Sequence, residues 1–181
     1  MIVAKAIKPA RFKREAFAKA IADAANKAAK DIEADFKATT KTWSRQPTFI
    51  KEVDTKTSPV QILVGTDDEI YRYLDEGTGL YGPKHRKYPI FAGIYTGKSK
   101  AKALRFQWGG PGSYRAKTTP NVIGSGSGGP SGPMVAFPYV MHPGIKPRNF
   151  DITIRKKWEP KFKRLMEDAM RKGARASGHA I

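Results

Sequence analysis

Between Pro9 and Trp43, apolar residues return at steps of three and four: Phe17, Ile21, Ala24, Ala25, Ala28, Ile32 and Phe36. That spacing places them on one stripe of an α-helix, while Lys27, Lys30, Asp31 and Lys41 fall largely on the other side. Alanine, the best helix former, fills the body of the segment. The pattern predicts one long helix over residues 9–45. Pro9 suits a first helical turn, where its missing N–H is not needed. Thr39, Thr40 and Thr42 weaken the far end, and Pro47 closes it. A striped helix of this length has to bury its apolar side against another layer, which the remainder of the chain must supply.

Short strand-like runs follow at Thr48–Asp54, Val60–Val64, Ile70–Leu74, Ala103–Trp108 and Val135–Met141. Turn residues such as Thr57-Ser58-Pro59 and Gly65-Thr66-Asp67-Asp68 bound them. Their brevity predicts an antiparallel sheet within residues 48–141 and not βαβ units. Gly77–Gly82 reads as a glycine-punctuated turn and Pro83–Lys87 as a basic loop. Gly109–Pro133, with its run Gly124-Ser125-Gly126-Ser127-Gly128-Gly129-Pro130, predicts a long flexible coil that is disordered in the isolated protein. Trp158, Phe162, Leu165, Met166, Ala169 and Met170 then form a second helical stripe. This predicts a C-terminal helix over 151–175, with Asn149 or Asp151 as cap and Pro160 either starting or kinking it. The expected architecture is α+β in one domain spanning 1–181. A small antiparallel sheet is packed by the long N-terminal helix and the C-terminal helix, with a long Gly/Ser/Pro-rich loop.

The charge is unevenly spread. The chain of 181 residues has a formal net charge of +18, and no Asp or Glu occurs from Gly77 to Phe150. That stretch holds Lys84, Arg86, Lys87, Lys98, Lys100, Lys102, Arg105, Arg115, Lys117, Lys146 and Arg148. With no internal counter-ion, such a field is balanced by salt or by an acidic partner. It also removes carboxylates from the loop-rich region, where sites usually sit. The absence of cysteine excludes disulfides, zinc–thiolate sites, iron–sulfur clusters and thiol nucleophiles, and fits a cytosolic setting. No apolar run approaches the length of a membrane span. The basic start of the chain lacks the apolar core of a cleaved signal.

Catalytic and cofactor patterns are weak. Gly93-Ile94-Tyr95-Thr96-Gly97-Lys98-Ser99 has three residues between its glycines where a phosphate loop needs four, so it reads as a basic surface loop. His85, His142 and His179 lie in unrelated contexts, and no nucleophile-elbow pattern accompanies them. Asp67, Asp68 and Glu69 read as a solvated turn in preference to a metal site. Trp43, Trp108 and Trp158 sit in amphipathic elements and read as core. The expectation is a non-enzyme with no cofactor and no bound metal.

Two corners are more specific. Tyr71-Arg72-Tyr73-Leu74-Asp75-Glu76-Gly77-Thr78-Gly79-Leu80-Tyr81-Gly82-Pro83 reads as a strand ending at Glu76 and reversing through glycines. His142-Pro143-Gly144-Ile145-Lys146-Pro147-Arg148-Asn149-Phe150 places Pro-Gly at the centre of a tight turn and aims Phe150 inward as the closing helix begins. Lys102-Ala103-Leu104-Arg105-Phe106 lies between them. This order resembles the HK97 gp10-like family of tailed-phage tail-component and tail-completion proteins. Glu76, Gly77 and Thr78 match its Glu-x-Gly-Thr region. Lys102, Ala103, Leu104 and Phe106 match its Lys-Ala-Leu-x-Phe strand. His142, Pro143, Gly144, Pro147 and Phe150 match its His-Pro-Gly turn, with Ile145 and Asn149 standing where the family has Thr and Pro.

The resemblance implies a virion structural protein of the neck or tail top, assembled in the host cytoplasm. It would act as a homo-oligomeric ring, expected to be a hexamer, that joins tail to head through connector, neck and tail-tube proteins. Contact with DNA in the channel is a further expectation, and contact with membrane is not. Lys84, Arg86, Lys87, Lys98, Lys100, Lys102, Arg115 and Lys117 are the candidate assembly contacts. The alternative reading is a basic protein that binds nucleic acid without sequence preference through phosphate contacts.

Overall fold

The computed structural model describes residues 10–95 and 101–179. The element order is α1 (Arg14–Thr39), β1 (Ile50–Asp54), β2 (Gln61–Gly65), α2 (Glu69–Glu76), a 3₁₀ turn (Gly79–Tyr81), β3 (Tyr88–Phe91), a single-turn α3 (Ala92–Tyr95), β4 (Leu104–Gln107), β5 (Met134–Phe137), β6 (Tyr139–His142) and α4 (Phe150–Ala176). The class is α+β, with a long N-terminal helix packed against a C-terminal one. The strands do not form one sheet. Among the described residues they make three two-stranded antiparallel sheets, β1–β2, β3–β6 and β4–β5. None of the helices is long and apolar enough to cross a membrane among the described residues.

The chain divides into two compact units. One gathers the chain up to Glu33, Ile50–Gly65, and the chain from Lys156 onward. Here Ala25 and Ala28 of α1 are fully buried, as the stripe predicts, and so is Ala29 beside them. Gly173 of α4 explains how closely the two helices meet: a Cβ at that position would lie 2.7 Å from a ring carbon of Phe17 and 2.9 Å from its Cα. Beyond α4, the Ser177 hydroxyl donates to the Gly173 carbonyl at 2.9 Å and accepts from the Lys13 amide at 2.9 Å, tying the two chain regions together. The β1–β2 hairpin lays one face on α1, where Lys51 pairs with Glu33.

The other unit holds Ala34–Phe49 and Thr66–Arg155. Its core is aromatic. Tyr71 lies 5.3 Å from Phe49, 5.6 Å from Phe150 and 6.2 Å from Trp43 between ring centroids, and Phe36 packs on Phe49 at 5.5 Å. Burial holds the Tyr71 phenol protonated well above its ordinary range, and its hydroxyl sits 3.4 Å from that of Thr39. The helix predicted over 9–45 ends at Thr39. Thr39 and Thr40 turn their hydroxyls back to the carbonyls of Phe36 and Lys37 at 2.6 and 3.2 Å, which competes with continuing the helix. Pro9 lies outside the described residues.

Two expected strands are corrected. Ile70–Leu74 belongs to the helix α2, because the Asp68 carboxylate accepts from the Tyr71 amide at 2.9 Å and caps it. The acidic turn at Asp67–Glu69 is therefore a helix start. Val135–Met141 is two strands, broken at Pro138, which cannot donate to a ladder. Its first half pairs with β4 and its second with β3. The Gly/Ser loop is also more structured than a flexible coil. Arg115 and Gly129 exchange backbone hydrogen bonds at 3.1 and 2.8 Å, and Gly126 donates to the Lys117 carbonyl at 2.8 Å. The Ser125 hydroxyl accepts from the Thr42 amide at 3.2 Å and donates to the Ala38 carbonyl at 3.3 Å.

Candidate functional site

The two corners singled out in the sequence meet each other. α2 ends at Glu76, and Gly77 leaves it with a φ of 80°. The Thr78 amide then donates to the Ile145 carbonyl at 2.9 Å, and the Leu80 amide to the Pro143 carbonyl at 2.8 Å. In return the Ile145 amide donates to the Thr78 hydroxyl at 3.0 Å. Gly144 is required here. Its φ is 104°, and a Cβ would overlap the Thr78 carbonyl oxygen and sit 2.6 Å from the carbonyl carbon. His142 braces the same corner, with Nδ1 accepting from the Gly144 amide at 3.0 Å. That bond needs an unprotonated Nδ1, and burial pushes the imidazole below its ordinary pKa, in the same direction. Phe150 is fully buried, as predicted.

Asp75 completes the joint and was not foreseen. Its carboxylate accepts from the Phe150 amide, the first residue of α4. Its backbone carbonyl accepts from the Arg148 and Asn149 amides, both at 3.1 Å. A residue at the end of α2 thus caps α4, a service that local reading assigned to Asn149 or Asp151. The Asn149 side chain instead donates to Asn121 at 3.0 Å, and Asp151 accepts from its neighbour Ile152 at 2.6 Å. Half-burial, followed by the nearby Asp151 charge, pushes Asp75 up to about 6. The sequence signal that could have found it is slight: a carboxylate directly before Glu-Gly-Thr, ahead of the acid-free stretch.

Arg148 is buried, and its Nε donates to the Thr118 hydroxyl at 3.0 Å, so it anchors the long loop to the second corner. Burial pushes its guanidinium pKa down from the ordinary value. Of the candidate assembly cations, Lys84, Arg86, Lys87, Lys102 and Arg115 have exposed positions. Lys117 is exposed too, but its ammonium donates to the Thr42 carbonyl at 3.2 Å. Lys98 and Lys100 lie outside the described residues, as does Thr96–Ser99 of the glycine–lysine loop. A cavity of about 520 Å³ opens between α2 and the basic loop, with Arg72, Lys84 and Arg86 around it and Glu76 on its wall.

The main surface feature missed in the sequence is apolar. Phe106, Trp108, Phe137, Tyr139 and Val140 line a groove of about 260 Å³ on β4, β5 and β6. Trp108, expected in the core, is 42% exposed, and Tyr139 is 53% exposed. Met134 on β5 and Met141 on β6, with Phe91 on the neighbouring β3, add further exposed apolar surface. Trp43 and Trp158 are half-buried. His179 stacks on Phe12 at 4.0 Å, and His85 is exposed. No group of three or more His, Asp or Glu is arranged to hold a metal ion among the described residues. No family model, curated protein or solved structure matches the chain.

Proposed function

We propose that this chain is a structural protein of the tailed-phage virion, a tail-completion or minor tail component that works as a homo-oligomeric ring at the neck or tail top. The observation that carries the reading is the interlocking of the two resembling corners. The turn through Thr78 and Leu80, after Glu76-Gly77, and the turn through Pro143 and Ile145, after His142, are distant in sequence yet bonded backbone to backbone. Each corner taken alone is turn chemistry, and their union is a fold-level feature. The apolar groove supports an assembly role as well, since exposed apolar concavities mark interaction surfaces. So do the two-stranded sheets, which are marginal as isolated units. Function on this reading is docking, with no chemical step.

Native mass spectrometry of the purified chain tests this. A closed ring of defined copy number is the expected result, and a monomer at every concentration overturns it. One observation favours a second reading. Trp108, just past β4, and Tyr139 on β6 are exposed within the acid-free stretch, and aromatic faces in a cationic segment suit single-stranded nucleic acid. Affinity for DNA across a salt series separates the two. Tight binding with a steep salt slope selects the nucleic-acid reading, and weak binding beside a stable ring selects assembly.

A further inference from the structure

We propose that the cavity between α2 and the basic loop is a binding site for a nucleoside phosphate. The proposal goes beyond the ring reading, since every residue it uses belongs to one copy. The cavity measures about 520 Å³, within the range of about 300–1,000 Å³ found for small-molecule sites. One wall is α2, whose Arg72 and Glu76 stand one turn apart on the same side of the helix. Another is the loop that carries Lys84 and Arg86. Main-chain bonds fix that loop: the His85 amide donates to the Gly82 carbonyl at 3.1 Å, and the Arg86 amide to the Gly79 carbonyl at 3.2 Å. His85, between the two cations, is held at a φ of 46°. Such strain costs a residue other than glycine energy, and it clusters at ligand sites.

The lining selects the ligand. Arg72 shares its guanidinium with Glu69 at 3.5 Å. Lys84 and Arg86 make no salt bridge among the described residues. Both are therefore open to an anion, and phosphate accepts charge-assisted hydrogen bonds from each. Glu76 is the single carboxylate on the wall. It repels a bare anion and accepts from a hydroxyl or an amino group. Aromatic surface completes the site. Tyr73 is 44% exposed and Tyr88 half-buried, and the Arg72 guanidinium carbon lies 5.7 Å from the centroid of the Tyr73 ring. Bases stack on tyrosine rings and on guanidinium planes. A nucleoside phosphate satisfies all three features at once, with an anion for Lys84 and Arg86, ribose hydroxyls for Glu76 and a planar base for the aromatic wall. An acidic peptide satisfies only the first. The nucleoside phosphate arrives either free or as a unit of a single strand.

Isothermal titration calorimetry of the full chain at ~0.15 M salt, where long-range attraction is screened, tests this with AMP, adenosine and inorganic phosphate. AMP should saturate one site per chain, about 10-fold or more tighter than adenosine or phosphate. Lys84→Gln and Arg86→Gln should each weaken AMP by about 10-fold, and Tyr73→Ala by about 5-fold or more. Lys87→Gln removes the same charge from the same loop, outside the cavity lining, and should leave AMP affinity unchanged. All four positions are exposed, and the three probes compared on the wild-type chain need no variant at all. Competition by an oligothymidylate strand that is lost in Arg86→Gln assigns the strand as the source. AMP binding that the strand does not displace assigns the free nucleotide. The site is overturned by unsaturable AMP binding, by phosphate or adenosine binding as tightly as AMP, or by a loss in Lys87→Gln equal to that in Arg86→Gln. An oligoglutamate peptide that displaces AMP mole for mole also overturns it and makes the cavity a dock for an acidic protein. A monomer that binds AMP overturns the ring reading alone, and a ring that does not bind AMP overturns this site alone.

Discussion

Gly144 shows how little side-chain volume the joined corners admit. Gly144→Val drives a β-branched side chain into the Thr78 carbonyl at a positive φ. The expected loss is several kcal/mol, on the order of 3 or more, read as a fall in the urea midpoint. Asp75 gives a subtler case. The folded state holds its proton up to about pH 6, against an ordinary value of 3.8. Folded protein therefore binds more protons than unfolded protein between those two values, and stability falls as pH rises through that window. Above it the penalty is fully present. Asp75→Asn keeps an oxygen for the Phe150 amide and removes the charge. It should be more stable than wild type at pH 8 by ~1 kcal/mol after solvent screening at this half-exposed site, and the gain should vanish near pH 4. Asp75→Ala loses the acceptor and should fall ~1 kcal/mol below the Asn variant. His142 acts with the opposite sign. Its depressed pKa gives stability that is present above the ordinary imidazole value and lost as pH falls below it.

Among the elements, the helices were legible and the strands less so. α1 and α4 carry long stripes, and burial follows the spacing from Ala25 to Phe36 and at Ala169, while Met170 of the second stripe is 49% exposed and the buried Ile154 lies outside it. α2 is only eight residues long. Over that length periods of 2 and 3.6 are hard to separate, and the Asp68 cap decides. Asp68→Ala should cost ~1 kcal/mol by chemical denaturation. Pro138 divides what looked like one strand because its effect depends on which neighbour each half pairs with, and that is tertiary information. The Gly/Ser loop misleads for a related reason: composition reports chain flexibility, while Ser125, Thr118 and Asn121 report anchoring. Deleting Gly124–Gly129 removes Ser125 and its two bonds to the end of α1, together with the Arg115–Gly129 pair. The expected result is a folded chain with a lower melting temperature, by ~1–2 kcal/mol in stability.

At the scale of the whole chain, net charge dominates. A formal +18 in 181 residues opposes compaction through self-repulsion. Raising sodium chloride from ~0.05 to ~0.5 M shortens the screening length several-fold and should raise the melting temperature by a few degrees. Differential scanning fluorimetry checks this, and an unchanged or lower melting point would contradict it. The charge map was fully legible in the sequence. The groove was not, because Trp108 and Phe106 alternate as core residues do and only the pairing of β4 with β5 leaves them uncovered. The meeting of the two corners was equally hidden, since main-chain atoms of Thr78, Leu80, Pro143 and Ile145 make most of it and every residue type carries those atoms. One thing follows for variation in this molecule. Leu80 is 38% exposed beside the clasp, whereas the Tyr81 ring, 43% exposed, carries the Lys146 ammonium 5.6 Å from its centroid and so reaches across to the second corner. Leu80 can be exchanged to suit a different neighbour while the main-chain clasp itself stays fastened.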